Sequence, residues 1–259
     1  RTFFIIKRFL LFNYPCKNST PPSILPVKDP PKEKPRKILH PNLPELPTIM
    51  TLVMPTKSGK STILSNLLLR EDFYKGVFDN VTIMSNTIDQ DVTSRFLRKA
   101  CDCYTGYDDN VLAGIIEQQK SFDDDERPFV GMIFDDILGS VKRSSYLNHL
   151  VTRSRHYGVG LLAISVQSFK AVGPTIRNNC NSFICGNLQN MSELDKISQE
   201  YSGMFGGDKK FREIYSKATE QRYDFLYLDL QSNPARAFGS VALDMPADAG
   251  ATDVETVPE

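Results

Sequence analysis

Apolar runs of strand length alternate along this chain with longer stretches whose apolar residues recur at helical spacing. The pairs are "TIMTLVM" then "KSTILSNLLLR", "NVTIMS" then "VTSRFLRKA", "FVGMIF" then "SYLNHLVTRSR", "GLLAISV", and "SFICG" then "SELDKISQEY". Runs that are apolar throughout, rather than alternating, mark strands buried on both faces, so the pattern predicts an α/β fold with a mostly parallel central sheet flanked by helices. The last two runs, "YDFLYLDL" and "ARAFGSVAL", are separated only by "QSNP". So short a link forces an antiparallel hairpin, which is placed at one edge of the sheet.

The flanks lack this pattern. Ten of the sixteen prolines fall between Pro15 and Pro47, mixed with the basic run "KDPPKEKPRK". Proline removes backbone donors and disfavours helix in its predecessor, so this stretch reads as an extended linker. Ahead of it, "RTFFIIKRFLLFNYP" is apolar but interrupted by Lys7 and Arg8 and too short to span a bilayer. It reads as an arm that packs on protein, with contact to a membrane surface as the secondary reading. The end, "MPADAGATDVETVPE", is small, acidic and aperiodic, as in disordered tails. The expected organisation is an arm and linker over 1–37, a folded domain over 38–245 and a tail over 246–259.

Thirty-one basic residues balance thirty-one acidic ones among the 259, so no global positive field marks the chain as a nucleic-acid binder; any DNA contact is local or built by assembling subunits. Five cysteines, none in a C-x-x-C pair, fit free thiols in a reducing compartment.

The candidate chemistry sits where the first strand meets the first helix. In "VMPTKSGKST" the motif G-x-x-x-x-G-K-[ST] is complete except at its first glycine, where Met54 stands. A strand leading through such a loop into a helix aims backbone N–H groups at an anion, and residues Thr56, Lys57, Ser58, Gly59, Lys60, Ser61 and Thr62 form the expected triphosphate cradle. Lys60 would reach the β- and γ-phosphates, Ser61 would ligate Mg²⁺, and Thr62 would lie near the α-phosphate. Met54 precedes the cradling amides, so it threatens the tightness of the turn more than the phosphate contacts. The strand of "RPFVGMIFDD" ends in Asp135 and Asp136, seventy-five residues after Lys60. Asp135, expected on a strand adjoining the loop, is assigned to magnesium, and Asp136 to the attacking water.

Taken in order, "HPNLPELP", "SGKST", "FDD", "TRSRHYGVGLLAISVQ" and "PTIRNNC" resemble the genome-packaging ATPases of nucleocytoplasmic large DNA viruses and virophages. These poxvirus-type enzymes are P-loop NTPases of the FtsK/HerA superfamily, with a RecA-like core, and the resemblance covers about residues 38 to 190. Met54 for glycine and Asp136 for the more usual glutamate are the departures. The resemblance implies ATP and Mg²⁺ as cofactors, a homo-oligomeric ring of five or six subunits, double-stranded DNA as cargo, a docking vertex on the viral capsid, and work in the virion or a viral factory of the host cytoplasm. It also implies that Gln167, at the end of "GLLAISVQ", senses the γ-phosphate. A neighbour's arginine would enter the site, with Arg153, Arg155 and Arg177 as candidates and Arg155 preferred over Arg177. Arg153 and Arg155, two residues apart on a helix, would point to opposite sides, and His156 is expected to be packed. Lys142-Arg143 and Lys209-Lys210 are candidate DNA contacts. Two other readings stay open: a small-molecule kinase, for which "SGKST" serves equally well, and a nucleotide-binding scaffold in which Met54 has ended hydrolysis.

Overall fold

A computed structural model describes residues 39–137 and 145–243. The arm and linker, Lys142-Arg143 and the acidic tail lie outside these residues. In chain order the elements are β1 (Thr48–Val53), α1 (Lys60–Leu69), β2 (Asn80–Ser85), α2 (Arg95–Ala100), β3 (Asp102–Thr105), α3 (Asp109–Lys120), β4 (Val130–Asp135), α4 (Ser145–Arg153), β5 (Val159–Val166), α5 (Pro174–Asn179), β6 (Ser182–Gly186), α6 (Met191–Tyr201), α7 (Asp208–Ala218), β7 (Phe225–Asp229) and β8 (Arg236–Gly239). The strands form one eight-stranded sheet in the order β3-β2-β4-β5-β1-β6-β7-β8. All pairings from β3 to β6 are parallel, and β6–β7 and β7–β8 are antiparallel.

The alternating side chains of the buried strands supply two cores. Ile49 and Val53 of β1, Met132 and Phe134 of β4, and Leu162 and Ile164 of β5 face one way, against Ile116 of α3, Leu150 of α4, Ile197 of α6 and Phe211 of α7. Met50 and Leu52, Ile133, and Leu161 and Ala163 face the other way, against Leu64 and Leu67 of α1 and Leu97 of α2. Strands need apolar residues at every position only when both faces are covered in this way, and all eight residues of β5 are buried.

Three expectations need correction. The strand bearing Asp135 does not adjoin the loop strand: β5, buried at all eight positions, takes the centre of the sheet between β1 and β4. Arg153 and Arg155 do not share a helix. Arg153 leaves helical geometry at φ −129°, ψ 15°, and Ser154–Tyr157 form a 3-10 turn closed by Gly158 at φ 66°, so the helical-wheel argument does not hold. A Cβ on Gly158 would meet the Pro128 carbonyl at 2.6 Å, which is why the turn ends on glycine. His156, expected to be packed, is exposed.

Among the described residues no helix is long and apolar enough to cross a membrane, and Cys101, Cys103, Cys180 and Cys185 are free thiols.

Candidate nucleotide site

The β1 ladder continues one residue past the strand, with the Met54 amide donating to the Val166 carbonyl at 3.0 Å. Met54 is fully buried in the α1-side core. Its side chain uses space left by Gly186 on β6, where an added Cβ would lie 3.0 Å from the Met54 Cε and 3.2 Å from Cγ. The first glycine of the motif has therefore become a core residue, and the loop proper begins after it.

That loop folds back on itself. The Ser58 hydroxyl donates to the Pro55 carbonyl at 2.6 Å. Lys57 at φ 61° and Gly59 at φ 96° take left-handed backbone conformations, turning the chain sharply into α1. Gly59 caps the helix without a side-chain hydrogen bond, and the Ile63 amide begins the helical ladder on the Gly59 carbonyl at 3.0 Å. The N–H groups of the first turn have no partner within the helix, and they point toward the mouth of the loop.

Across this loop stand the carboxyl ends of β4 and β5. Lys60, 90% buried, is ion-paired with the Asp136 carboxylate. Gln167, one residue past β5, donates from Nε2 to the same Asp136 oxygen at 3.2 Å. Asp136 holds a left-handed backbone at φ 52°; its amide bonds the Ser165 carbonyl at 2.9 Å, and its carbonyl accepts from Asn86 at 3.0 Å. Asp135 accepts from the Ser85 hydroxyl at 3.0 Å through Oδ2, while its Oδ1 is buried without a partner. Burial raises the Asp135 pKa and the Asp136 charge adds to the shift, while polar contact with Ser165, the Lys60 charge and the Ser85 hydroxyl oppose it.

These groups converge on one cavity of about 570 Å³, whose lining includes Thr56, Lys57, Gly59, Lys60, Ser61 and Thr62 of the loop, together with Asp135, Asp136 and Gln167. A volume of this size suits a nucleotide-sized ligand. Ser58, the other predicted cradle residue, serves the loop's internal bond. The residues fit Mg²⁺ held in the usual way, through one or two carboxylates with ligand phosphates completing the shell: Asp135 offers a buried oxygen with nothing bound to it, and Ser61 lines the same cavity.

Residues 37–216 match the family described as Poxvirus A32 protein. The chain belongs to the poxvirus A32 protein family. No curated protein sequence matches it. Among solved structures, the genome packaging NTPase B204 of Sulfolobus turreted icosahedral virus 2 in complex with AMP aligns with a TM-score of 0.53 at 19% identity, covering 73% of this chain and 96% of that one. The DNA-packaging ATPase B204 of Sulfolobus turreted icosahedral virus gives 0.54 at 15% identity over the same shares. The virus 2 enzyme in complex with ATP-gammaS gives 0.52 at 20%, covering 73% and 95%. At such identities the likeness is one of fold: the A32 family member has the P-loop ATPase architecture that its strand order and loop describe.

Two arginines of this A32 family member predicted to serve catalysis also stand apart from the cavity lining. Arg155 is exposed ahead of the first residue of β5, at the end of the strand opposite Gln167. Arg177, on α5, pairs with Glu200 at 2.9 Å and lies with its guanidinium 5.5 Å from the Phe169 ring centroid. Neither lines its own chain's cavity. Lys209 and Lys210 are exposed in the first turn of α7.

Other lining residues escaped the sequence reading. Thr87, Asp91 and Thr93 come from the segment after β2, Asn66 from α1, and Arg222, Tyr223 and Phe225 from the approach to β7. Asp91 closes a turn by accepting from the Thr93 amide and the Ser94 hydroxyl, each at 2.9 Å. Burial raises its pKa, but polar contact with Ser61 and these hydrogen bonds outweigh that and lower it. The Asp91–Thr93 spacing is an ordinary turn signal that carries no hint of a site. Nothing local in Arg222-Tyr223 signals one either.

Proposed function

We propose that this A32 family member is a Mg²⁺-dependent ATPase that drives double-stranded DNA into a viral capsid as a subunit of a homo-oligomeric ring of five or six copies, working in the virion or viral factory. One observation carries the enzymatic part: the phosphate-type loop, Asp135, Asp136 and Gln167 come from three separate strand ends and meet in a single cavity. The related folds named for packaging and nucleotide complexes support the biological part.

In this reading the first-turn amides of α1 enclose the phosphates. Asp135 and Ser61 would hold magnesium, which when bound would supply charge neutralisation at the phosphates. Lys60 exchanges Asp136 for phosphate oxygens, which frees the Asp136 carboxylate to accept the proton of a water directed at the γ-phosphorus. Gln167, already hydrogen-bonded to Asp136, keeps that carboxylate in place and reports the loss of the γ-phosphate along β5. Arg155 of a neighbouring copy, or failing that Arg177, would complete the site in the ring, and lysines such as Lys209 and Lys210 would meet the DNA backbone by charge alone. In this reading the ATPase domain spans 38–245, flanked by the arm and linker over 1–37 and the acidic tail over 246–259.

The test is ATP turnover with and without long duplex DNA. DNA-stimulated hydrolysis that Lys60→Ala abolishes supports the motor. Transfer to a small acceptor independent of DNA favours a kinase, and no turnover favours a scaffold. Undiminished activity in Lys60→Ala removes the phosphate site altogether.

A further inference from the structure

The antiparallel return of β7 has a local effect at the cavity. Its first residue, Phe225, pairs with Gly186, the last residue of β6, so the segment entering β7 is carried back to the carboxyl edge of the parallel strands, where the phosphate loop opens. On that segment Tyr223 holds a left-handed backbone at φ 74°. Its Cδ1 lies 3.8 Å from where a Cβ on Gly59 would stand. The Arg222 guanidinium sits 4.7 Å from the Tyr223 ring centroid. Both residues line the same cavity as Lys60 and Asp135, and Tyr223 remains 37% exposed.

These placements divide the cavity by chemistry. Asp135 and Gln167 end strands on one side of β1, whereas Tyr223 enters β7 on the other side, two strands beyond β1. β4 and β7 are four strand positions apart in the sheet, roughly 19 Å at ~4.8 Å per step, a span suited to a nucleotide lying extended across the carboxyl edge. The metal and hydrolytic groups occupy one end. At the other end is a stacked guanidinium and phenol with no carboxylate among the lining residues contributed by that segment. A left-handed backbone at a non-glycine aromatic carries a cost, and what it accomplishes here is to set the ring beside Gly59.

We propose that the Arg222–Tyr223 pair is the platform on which the nucleobase stacks, so that it sets affinity for the nucleoside part of the ligand and not for its phosphates. This rests on the reading of the cavity as an ATP site. A flat aromatic and guanidinium surface is a general acceptor for the π-face of a base.

The test separates the base from the phosphates. The KM for ATP is compared with the inhibition constant of magnesium tripolyphosphate, a ligand that has the phosphates and no base. Tyr223→Gly removes the ring and is at ease with the left-handed backbone, so the fold is spared; it is expected to raise the KM for ATP about tenfold or more and leave tripolyphosphate inhibition unchanged. Arg222→Ala is expected to follow the same split. The chain has no tryptophan, so Tyr223→Trp introduces a single reporter whose emission is expected to be quenched by ATP and not by tripolyphosphate. An unchanged KM in Tyr223→Gly, or an equal loss for both ligands, overturns the proposal while leaving the ATP site standing. Wild-type protein that neither hydrolyses ATP nor binds tripolyphosphate overturns the ATP site itself.

Discussion

Replacing Met54 by glycine would restore the complete phosphate-loop motif, and the structure predicts that it harms the protein. Met54 is 0% exposed and fills the space between the α1-side core and Gly186. Truncating a buried methionine to alanine costs about 2–5 kcal/mol through lost transfer energy and the cavity left behind. Going on to glycine adds up to about 1 kcal/mol of backbone freedom in the unfolded chain. The expected total of about 2–6 kcal/mol is a large share of the ~5–15 kcal/mol by which domains are stable. Urea denaturation followed by circular dichroism gives the stability, and ATP turnover measured at low temperature per folded molecule gives the activity. Gly186→Ala provides the internal control: in wild type its Cβ crowds Met54 and is expected to cost ~1–3 kcal/mol, whereas in the Met54→Ala background the same methyl group enters vacated space, giving a coupling of at least ~1 kcal/mol. A Met54→Gly protein within ~1 kcal/mol of wild type, with no coupling to Gly186, would refute the view of residue 54 as core rather than loop.

Three further predictions concern single charges. Because burial raises the Asp135 pKa, ionising it costs folded-state stability as pH rises above the ordinary carboxylate range; Asp135→Asn is therefore expected to raise the thermal midpoint of the ligand-free protein at pH 7, to lose that advantage at acid pH, and to abolish magnesium-dependent turnover. Arg177→Ala, which breaks the Glu200 pair and the Phe169 contact, is expected to lower stability by about 1 kcal/mol, whereas exposed Arg155→Ala is expected to stay within ~0.5 kcal/mol of wild type and to cut turnover in the assembled state only; mixing it with Lys60→Ala subunits and measuring recovered activity tests the contribution across subunits.

The parallel strands are legible because burial on both faces favours long apolar runs, broken in "GLLAISV" only by Ser165, and the terminal hairpin because "QSNP" is too short for a crossover. β3 is not, since "DCYT" is a sheet-edge strand with mostly exposed side chains and lacks any apolar run. α3 and α7 lie outside the expected helices, although Asp108 caps the first by accepting from the Asn110 amide at 2.8 Å, a capping signal visible in the sequence. At the site, the loop and the Asp135-Asp136 pair could be read because each is local: a turn's backbone needs and a strand's polar end appear within ten residues. Arg222 and Tyr223 could not, since their position depends on β7 running opposite to β6, a fact of long-range pairing. The Arg153–Arg155 geometry failed because one residue leaving helical φ/ψ resets every angle after it.

The reversed direction of β7 also sets when the pocket comes into being. A ribosome that has delivered the chain through Gly186 has already supplied the phosphate loop, both aspartates and Gln167, yet one wall of the cavity is still unsynthesised. The enclosure closes only when Arg222, Tyr223 and Phe225 emerge and the strand folds back beside β6. Any product cut short before that point keeps its recognisable motifs and lacks the chamber they serve.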